Sequence, residues 1–382
     1  MTTAHRRDER RLILAGMAAL ALAMGIGRFA FTPLLPPMRA EGLVTLSGGG
    51  VLAGVHFAGY LMGALAGPWA GARPRAVLVG SLLAIAAATL AMGLTDSFLA
   101  WLALRWLCGL CSAFVLVLVG GHLVSRLAGR DGAQGWVFAG VGAGIALAGL
   151  GALALMAAGA GSARGWQGFG AASLVLAVVL ALVLGPQLPA RGAVARRGGG
   201  GRAPLSWPLV LAYGAMGLGY IIPATYLPVM ARESVPDPLV FGWSWPLFGL
   251  AAFASTPVAA RLRRRFAARR VWAVGQVVMA GGLLAPALWP GLAAIVAGGV
   301  AVGGTFMVIT MAGMQEAHRV APPDDALRHI AAMTAAFAAG QMAGPPLAGL
   351  VHDAGGGFAG PLAVTALVLL ATAAGLVRDR RG

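Results

Sequence analysis

The sequence predicts an all-α membrane protein with twelve transmembrane helices in two pseudo-symmetric six-helix bundles. Three observations lead to this prediction: the composition, a series of long apolar runs, and an internal repeat. Of the 382 residues, 59% are hydrophobic and only 10% are charged, and the mean hydropathy is +0.83. A soluble domain carries about 25% charged residues, so this chain has too few to cover a surface that faces water.

Long apolar runs separated by short polar connections mark the membrane spans. About 20 apolar residues cross a bilayer as one helix. The runs do not alternate between polar and apolar residues as the strands of a membrane barrel do, so we predict helices. The approximate predicted spans are 12–38, 49–70, 76–95, 98–125, 134–159, 169–188, 206–230, 239–260, 271–289, 291–315, 330–351 and 359–377.

An internal repeat divides the chain into two similar halves. Gly25–Met38 and Gly217–Met230 align at an offset of 192 residues, with two Gly, one Leu, one Pro and one Met at matching positions. Half of the chain is about as long as this offset, which indicates two copies of one unit. The clearest mismatch places Tyr220 where the first copy has Arg28.

The repeat predicts two domains joined by a linker. We expect an N-terminal six-helix bundle over residues 1–188 and a C-terminal six-helix bundle over residues 206–382. Residues 189–205 between them contain four consecutive Gly and four Arg, which is the composition of a cytoplasmic linker.

The distribution of Arg predicts the orientation in the membrane. With the N-terminus in the cytoplasm, 23 of the 28 Arg fall in cytoplasmic segments and 3 in outside loops. This positive-inside bias predicts that both termini are cytoplasmic and that the first apolar run is an uncleaved helix. It also accounts for the net charge of +16 without a nucleic-acid partner.

Three cationic or protonatable side chains fall at membrane depth in the first half. Arg28, Arg105 and His56 lie roughly 10–15 Å from the same predicted membrane surface, at 1.5 Å per helical residue. A charge at this depth costs at least ~2.5 kcal/mol. All acidic residues of the sequence fall in loops or at helix ends. We therefore predict that Arg28 and Arg105 form a recognition pair for an anion.

Other interpretations of these three side chains stay open. Arg105 is also placed to donate hydrogen bonds to backbone carbonyls of the first helix near Pro33 and Pro36, which prolines leave without a donor. Arg28 is also suited to packing or to locking one conformation. His56 is either a hydrogen-bonded core histidine or the candidate for proton coupling, because it is the best-placed titratable group.

Further candidates lie mainly in the second half. Tyr220, Tyr226 and Gln341 are expected to contact substrate together with the residues above. Prolines kink helices and glycines allow close helix packing. Glu316 at the end of helix 10 is expected to pair with Arg319 or with a loop arginine. The predicted gating or structural residues are Pro33, Pro36, Pro223, Pro228, Gly109, Gly344, Pro345 and Glu316.

The chain resembles the major facilitator superfamily over nearly its whole length. The segment Gly25–Met38 looks like the signature of its YbfB/YjiJ-like bacterial branch, and Gln315–Ala317 is similar to that branch too. The segment Arg105–Ala113 resembles a family pattern, but Cys108 and Cys111 replace a Gln and a Gly. Gly71 stands where the family's gating loop has Asp. The resemblance implies the major facilitator fold and a cavity to which helices 1, 2 and 4 contribute.

These features predict a secondary active transporter that moves a small organic solute, anionic or amphipathic, by alternating access. Coupling to protons is an open option that depends on His56 or on protonation of the substrate, and export is slightly favoured over uptake on the family resemblance alone. One alternative is an uptake permease for a small carboxylate, and another is a membrane receptor or scaffold that transports nothing. No motif for phosphate binding, metal binding or nucleophilic catalysis occurs. We expect no enzymatic activity, no cofactor, no metal and a monomer in the bilayer.

Overall fold

The computed structural model describes residues 3–127, 131–184, 188–189, 204–262, 264–320 and 323–378. Most of the predicted linker, residues 190–203, lies outside the described residues. The described chain is almost entirely helical, as the apolar runs predict.

Eleven helices of the described chain are long and apolar enough to cross a membrane. A further long helix, α11, covers Pro323–Val351 and is not among those eleven. The eleven are α1 Glu9–Ala40, α2 Leu46–Leu65, α3 Pro74–Met92, α4 Phe98–Val124, α5 Gly132–Ala157, α6 Ser162–Leu184, α7 Trp207–Ser234, α8 Pro238–Leu262, α9 Ala268–Leu288, α10 Leu292–Val320 and α12 Ala359–Arg378.

Several boundaries differ from the predicted ones. Among the largest differences are the starts of helices 6 and 11, each seven residues earlier than predicted, and hydrogen bonds account for the first of them. The start predicted for helix 6 at residue 169 is wrong, because α6 begins at Ser162. The carboxylate of Glu41 accepts a hydrogen bond of 2.7 Å from the Ser162 backbone nitrogen and another from the Ser162 hydroxyl. This distant cap supports a first turn whose polar sequence does not predict a span.

The described residues divide into two compact units. Those within Met1–Leu43 and Val55–Ala195 form the first, and those within Val44–Gly54 and Arg196–Gly382 form the second. The beginning of α2 thus belongs to the second unit, although in sequence it lies between two segments of the first unit.

The same helix pairs pack inside each unit. In the first, α1 packs on α5, and α3 packs on α4 and α6; in the second, α7 packs on α11, and α9 packs on α10 and α12. The matched glycines of the repeat take part in this packing. A β-carbon at Gly25 would collide with Gly144 of α5, and one at Gly217 with Phe337 of α11. The two sequence repeats therefore fold with the same internal packing.

Candidate functional site

The first helix is irregular at the depth where the candidate residues lie. A π-helical segment, Ala21–Ile26, precedes the short helix Gly27–Phe29, and a regular helix resumes at Phe31. π-helical segments of this kind occur often at functional sites. The hydroxyl of Ser112 on α4 donates a 2.8 Å hydrogen bond to the carbonyl of Ala23 within the irregular segment.

Arg105 of α4 holds the backbone directly after this segment. Its Nη1 donates to the carbonyl of Gly27 at 3.2 Å and its Nη2 to the carbonyl of Arg28 at 3.0 Å. The side chain is buried, and its guanidinium carbon lies 5.0 Å from the centre of the Phe31 ring. Arg105 therefore contacts α1 carbonyls, at Gly27 and Arg28 and not near Pro33 and Pro36 as the sequence suggested.

Three aromatic rings surround the guanidinium of Arg28. Its central carbon lies 4.6 Å from the ring centre of Phe57, 5.0 Å from that of Phe29 and 5.3 Å from that of Tyr60. Only 5% of the residue is exposed. The electron-rich faces of aromatic rings attract cations, and this attraction strengthens away from water. We call Arg28, Phe29, Phe57 and Tyr60 the arginine box.

His56 adjoins the arginine box on α2 and is completely buried. Neither ring nitrogen meets hydrogen-bond geometry with any residue in the described part of the chain. Arg105 and Arg28 both lie within electrostatic range of the ring. A buried polar side chain without a well-aligned hydrogen bond is costly, which makes His56 a candidate for contact with a substrate or a proton.

Tyr220, the repeat counterpart of Arg28, lies in an aromatic stack of the second unit. Its ring lies parallel to Phe306 at 5.2 Å and to Phe337 at 5.6 Å. The side-chain amide of Gln341 donates a hydrogen bond to the Tyr220 hydroxyl. The Gln341 Oε1 atom is buried and has no hydrogen-bond partner among the described residues. We call Tyr220 and Gln341 the tyrosine–glutamine pair.

Tyr226 forms a hydrogen bond with the beginning of α2 inside the second unit. Its hydroxyl lies 2.7 Å from the carbonyl of Pro345 and 2.9 Å from that of Leu46. Gly344, beside Pro345, packs against side chains of α7. Tyr226 was predicted to contact substrate, and its hydroxyl is thus engaged by two backbone carbonyls.

Asp353 makes a second hydrogen-bonded contact with the beginning of α2. It lies after α11, and its Oδ2 accepts a 2.8 Å hydrogen bond from the backbone nitrogen of Ser47 in the first turn of α2. Burial raises the pKa of Asp353, but the hydrogen bonds from Ser47, together with the Leu46 backbone and the nearby His352, lower the pKa below its ordinary value. The carboxylate is thus stabilised by capping a helix that begins about 300 residues earlier in the chain.

Acid is expected to weaken this cap. A carboxyl whose pKa is lowered on folding stabilises the protein above its unfolded pKa, and this contribution disappears as the pH falls below about 4. The Asp353→Asn variant should lose less thermal stability between pH 6 and pH 3 than the unmodified protein. Asp237→Asn is the control, because Asp237 caps its own helix, through Leu239. Equal acid loss in Asp353→Asn and the unmodified protein would contradict the prediction.

Glu316 is a buried junction between α9 and α10. Its Oε1 lies 2.8 Å from Nε of Arg269 and 2.7 Å from Nη2 of Arg319, and its Oε2 accepts a 3.0 Å hydrogen bond from Nε of Arg319. The carboxylate therefore contacts both the neighbouring arginine and a distant one, where the sequence left a choice between them.

The remaining predicted gating residues lie within helices. Pro33 and Pro36 belong to the buried second part of α1, and Pro223 and Pro228 to the buried part of α7. Gly109 of α4 packs on the backbone of α2. Their movement during a transport cycle stays a prediction.

Most of the aromatic rings at the two clusters were not among the residues predicted from the sequence. Phe57 and Tyr60 belong to the arginine box, and Phe306 and Phe337 stack on Tyr220. The spacing of Phe57 and Tyr60, three residues apart and directly after His56, was the available signal, since residues at this spacing share one helix face.

The fold resembles solved transporter structures. A bacterial homologue of the human lysosomal transporter Spinster, in an inward-facing and occupied conformation, is 16% identical with a TM-score of 0.75, over 99% of this chain and 97% of that chain. Its inward-facing and unoccupied form is 17% identical with a TM-score of 0.66, over 97% and 95%. A mutant of the nucleoside transporter NupG is 15% identical with a TM-score of 0.71, over 96% and 98%.

Sequence comparison identifies the family. A search of curated protein sequences found no significant match. The family model described as "Uncharacterised MFS-type transporter YbfB" matches residues 20–378. Members of the major facilitator superfamily are membrane transporters and not enzymes. Because the match covers nearly the whole chain, this protein belongs to the YbfB-type family of major facilitator transporters.

Proposed function

We propose that this transporter moves a small organic anion across a bacterial inner membrane by alternating access. In this proposal twelve helices cross the membrane in two bundles, residues 1–188 and 206–382, and both termini are cytoplasmic. The Arg distribution supports the orientation. The matching internal packing of the two units supports the two-bundle arrangement.

The arginine box carries the proposal for the substrate. Arg28 lies at membrane depth on α1, and the rings around it offer apolar surface beside its positive charge. An amphipathic anion needs both kinds of contact. Arg105 is a positioning residue in this proposal, because its guanidinium donates a hydrogen bond to the carbonyl of Arg28 and so fixes the position of the Arg28 backbone. Of the two arginines predicted as a pair, Arg28 is the one that we propose to contact the anion.

The tyrosine–glutamine pair is proposed as a separate substrate contact in the second unit. The Gln341 Oε1 atom offers an acceptor to a hydroxyl or amide of the substrate. Because the Tyr226 hydroxyl already contacts two carbonyls, only the ring of Tyr226 is proposed to contact the substrate. His56 is proposed as the proton carrier, since it is the buried titratable group beside the arginine box. Export, favoured by family resemblance alone, completes the proposal.

Substrate binding is expected to depend on the Arg28 charge. Purified protein is screened by thermal shift against a panel of organic anions and a matched panel of cationic drugs. Anions should raise the Tm, and the Arg28→Gln variant should lose most of this rise, because a hydrogen bond between charged groups contributes about 1.5–3 kcal/mol. That loss corresponds to roughly a 10- to 150-fold weaker affinity.

The Arg75→Gln variant is the control, because Arg75 is an exposed arginine of the same unit. It removes the same charge and should leave the anion response unchanged. Stabilisation by cationic drugs alone would overturn the proposal, as would an anion response that survives in Arg28→Gln. An anion found in the screen then serves as the probe in proteoliposomes, where accumulation driven by a proton gradient separates coupled transport from a receptor that only binds.

A further inference from the structure

An apolar groove lies in the second unit, away from the arginine box and the tyrosine–glutamine pair. It has a volume of about 400 Å³ and runs between α8, α9 and α10. Valine is the commonest residue in its walls, and several of these valine side chains are open to the surroundings; Val274, for example, is 56% exposed. The residues that line it include Val258, Phe266, Arg270, Val274, Gly304 and Val308.

One end of the groove carries a positive charge. Arg270 lines the groove at the beginning of α9, and its guanidinium carbon lies 6.0 Å from the ring centre of Phe266. It makes no ion pair with a carboxylate among the described residues. The adjacent Arg269 differs, because it binds the buried Glu316. Two consecutive arginines thus have different partners, and only the second is available to a ligand in the groove.

A glycine leaves space in the part of the groove that α10 lines. A β-carbon at Gly304 of α10 would meet nothing within 4 Å, so the space beside it belongs to the groove. From Arg270 to Val278 the lining follows α9 for eight residues, which is about 12 Å of helix. A methylene group is of similar size to a water molecule, which takes about 30 Å³ of liquid. The groove therefore has room for roughly a dozen methylene groups.

We propose that this groove binds one anionic phospholipid, with an acyl chain along the valine walls and the phosphate at Arg270. The walls belong to helices long and apolar enough to cross a membrane, so the groove opens towards lipid and not towards water. The loop before α9 adds Arg264 and Arg265, which are exposed and increase the attraction for an anionic headgroup. The site is independent of the transported solute.

Native mass spectrometry of the purified full chain tests the site with phosphatidylglycerol and phosphatidylcholine of equal chain length. The protein should retain one phosphatidylglycerol in preference to phosphatidylcholine. Arg270→Gln should weaken this preference about fivefold, which corresponds to the ~1 kcal/mol contributed by one arginine near an anionic membrane surface. Arg378→Gln, at the end of α12, removes an equal charge outside the groove and should not change it.

A second variant tests the groove itself. Gly304→Leu places a side chain in the open space and should abolish retention of the lipid, with the fold intact. Gly281→Leu is its control, because Gly281 is also open but does not line the groove. Equal retention of the two lipids by the unmodified protein would overturn the proposal. So would full retention of phosphatidylglycerol in either Arg270→Gln or Gly304→Leu.

Discussion

Replacing Arg269 with glutamine is expected to destabilise the protein by about 3 kcal/mol, because it removes one partner from a buried carboxylate. The side chain of Glu316 is 1% exposed and that of Arg269 15% exposed. Replacing Arg319 should cost at most about 1 kcal/mol, since its side chain is 48% exposed and water screens the interaction. Unfolding of each variant in detergent, followed by tryptophan fluorescence, measures the difference.

The two variants control each other, because both remove one positive charge from the same carboxylate. In a Glu316→Gln background the difference between Arg269→Gln and Arg319→Gln should shrink, and a double-mutant cycle measures how much. Equal losses for the two single variants would show that burial does not govern this junction. If the Arg269→Gln protein is as stable as the unmodified protein, the ion pair between Glu316 and Arg319 alone stabilises this junction.

Arg269 and Arg270 illustrate how the arginines between α8 and α9 differ in what they contact. In sequence the six arginines of this region all fit the positive-inside pattern, and nothing distinguishes them. In the structure Arg269 binds Glu316, which joins α9 to α10, and Arg270 lies at the apolar groove. A helical residue differs from its neighbour by about 100° in direction, so adjacent residues reach different surroundings.

The fold could be predicted because hydrophobic runs determine helices in a membrane. Apolar runs of about 20 residues predict spans, and eleven described helices are long and apolar enough to cross a membrane. The repeat at 192 residues indicated two copies of one unit, and α1 packs on α5 as α7 packs on α11. Boundaries were harder to predict where a distant residue caps a helix. Glu41 at Ser162 and Asp353 at Ser47 are such caps, and no local pattern contains them.

The candidate site could be predicted as a set of residues but not as contacts. The cost of a charge at membrane depth indicated Arg28 and Arg105 from sequence alone. Their different partners depend on tertiary packing: Arg105 meets the carbonyls after the π-helical segment of α1, and Arg28 meets three rings. Likewise Arg319 is three residues from Glu316, a spacing that sequence analysis recognises, whereas Arg269 reaches Glu316 only because α9 packs on α10.

Replacing Gly109 with alanine is expected to force α2 and α4 apart. It should lower the free energy of unfolding of the first unit by about 1–3 kcal/mol or more, since 1–3 kcal/mol is the usual cost of overpacking. A β-carbon at this position would overlap the carbonyl oxygen of His56 and would lie 2.9 Å from the backbone nitrogen of Tyr60. These are backbone atoms of α2, so no side chain can turn away to make room. Thermal unfolding in detergent measures the loss.

The same substitution is expected to weaken anion binding, because the two helices carry different parts of the candidate site. Phe57 and Tyr60 of the arginine box lie on α2, and Arg105, which holds the carbonyl of Arg28, lies on α4. Moving α2 by a few tenths of an ångström or more changes the distances between the guanidinium and its rings. The rise in Tm caused by an anion should therefore fall in Gly109→Ala, beyond the loss of basal Tm.

Gly80→Ala is the matched control, since Gly80 lies within α3 of the same unit and a β-carbon there meets nothing within 4 Å. Alanine favours the helix over glycine by about 1 kcal/mol, so this variant should be as stable as the unmodified protein or more stable. A Gly109→Ala protein that behaves like Gly80→Ala would show that α2 and α4 tolerate separation, and the arginine box would then not depend on their close packing.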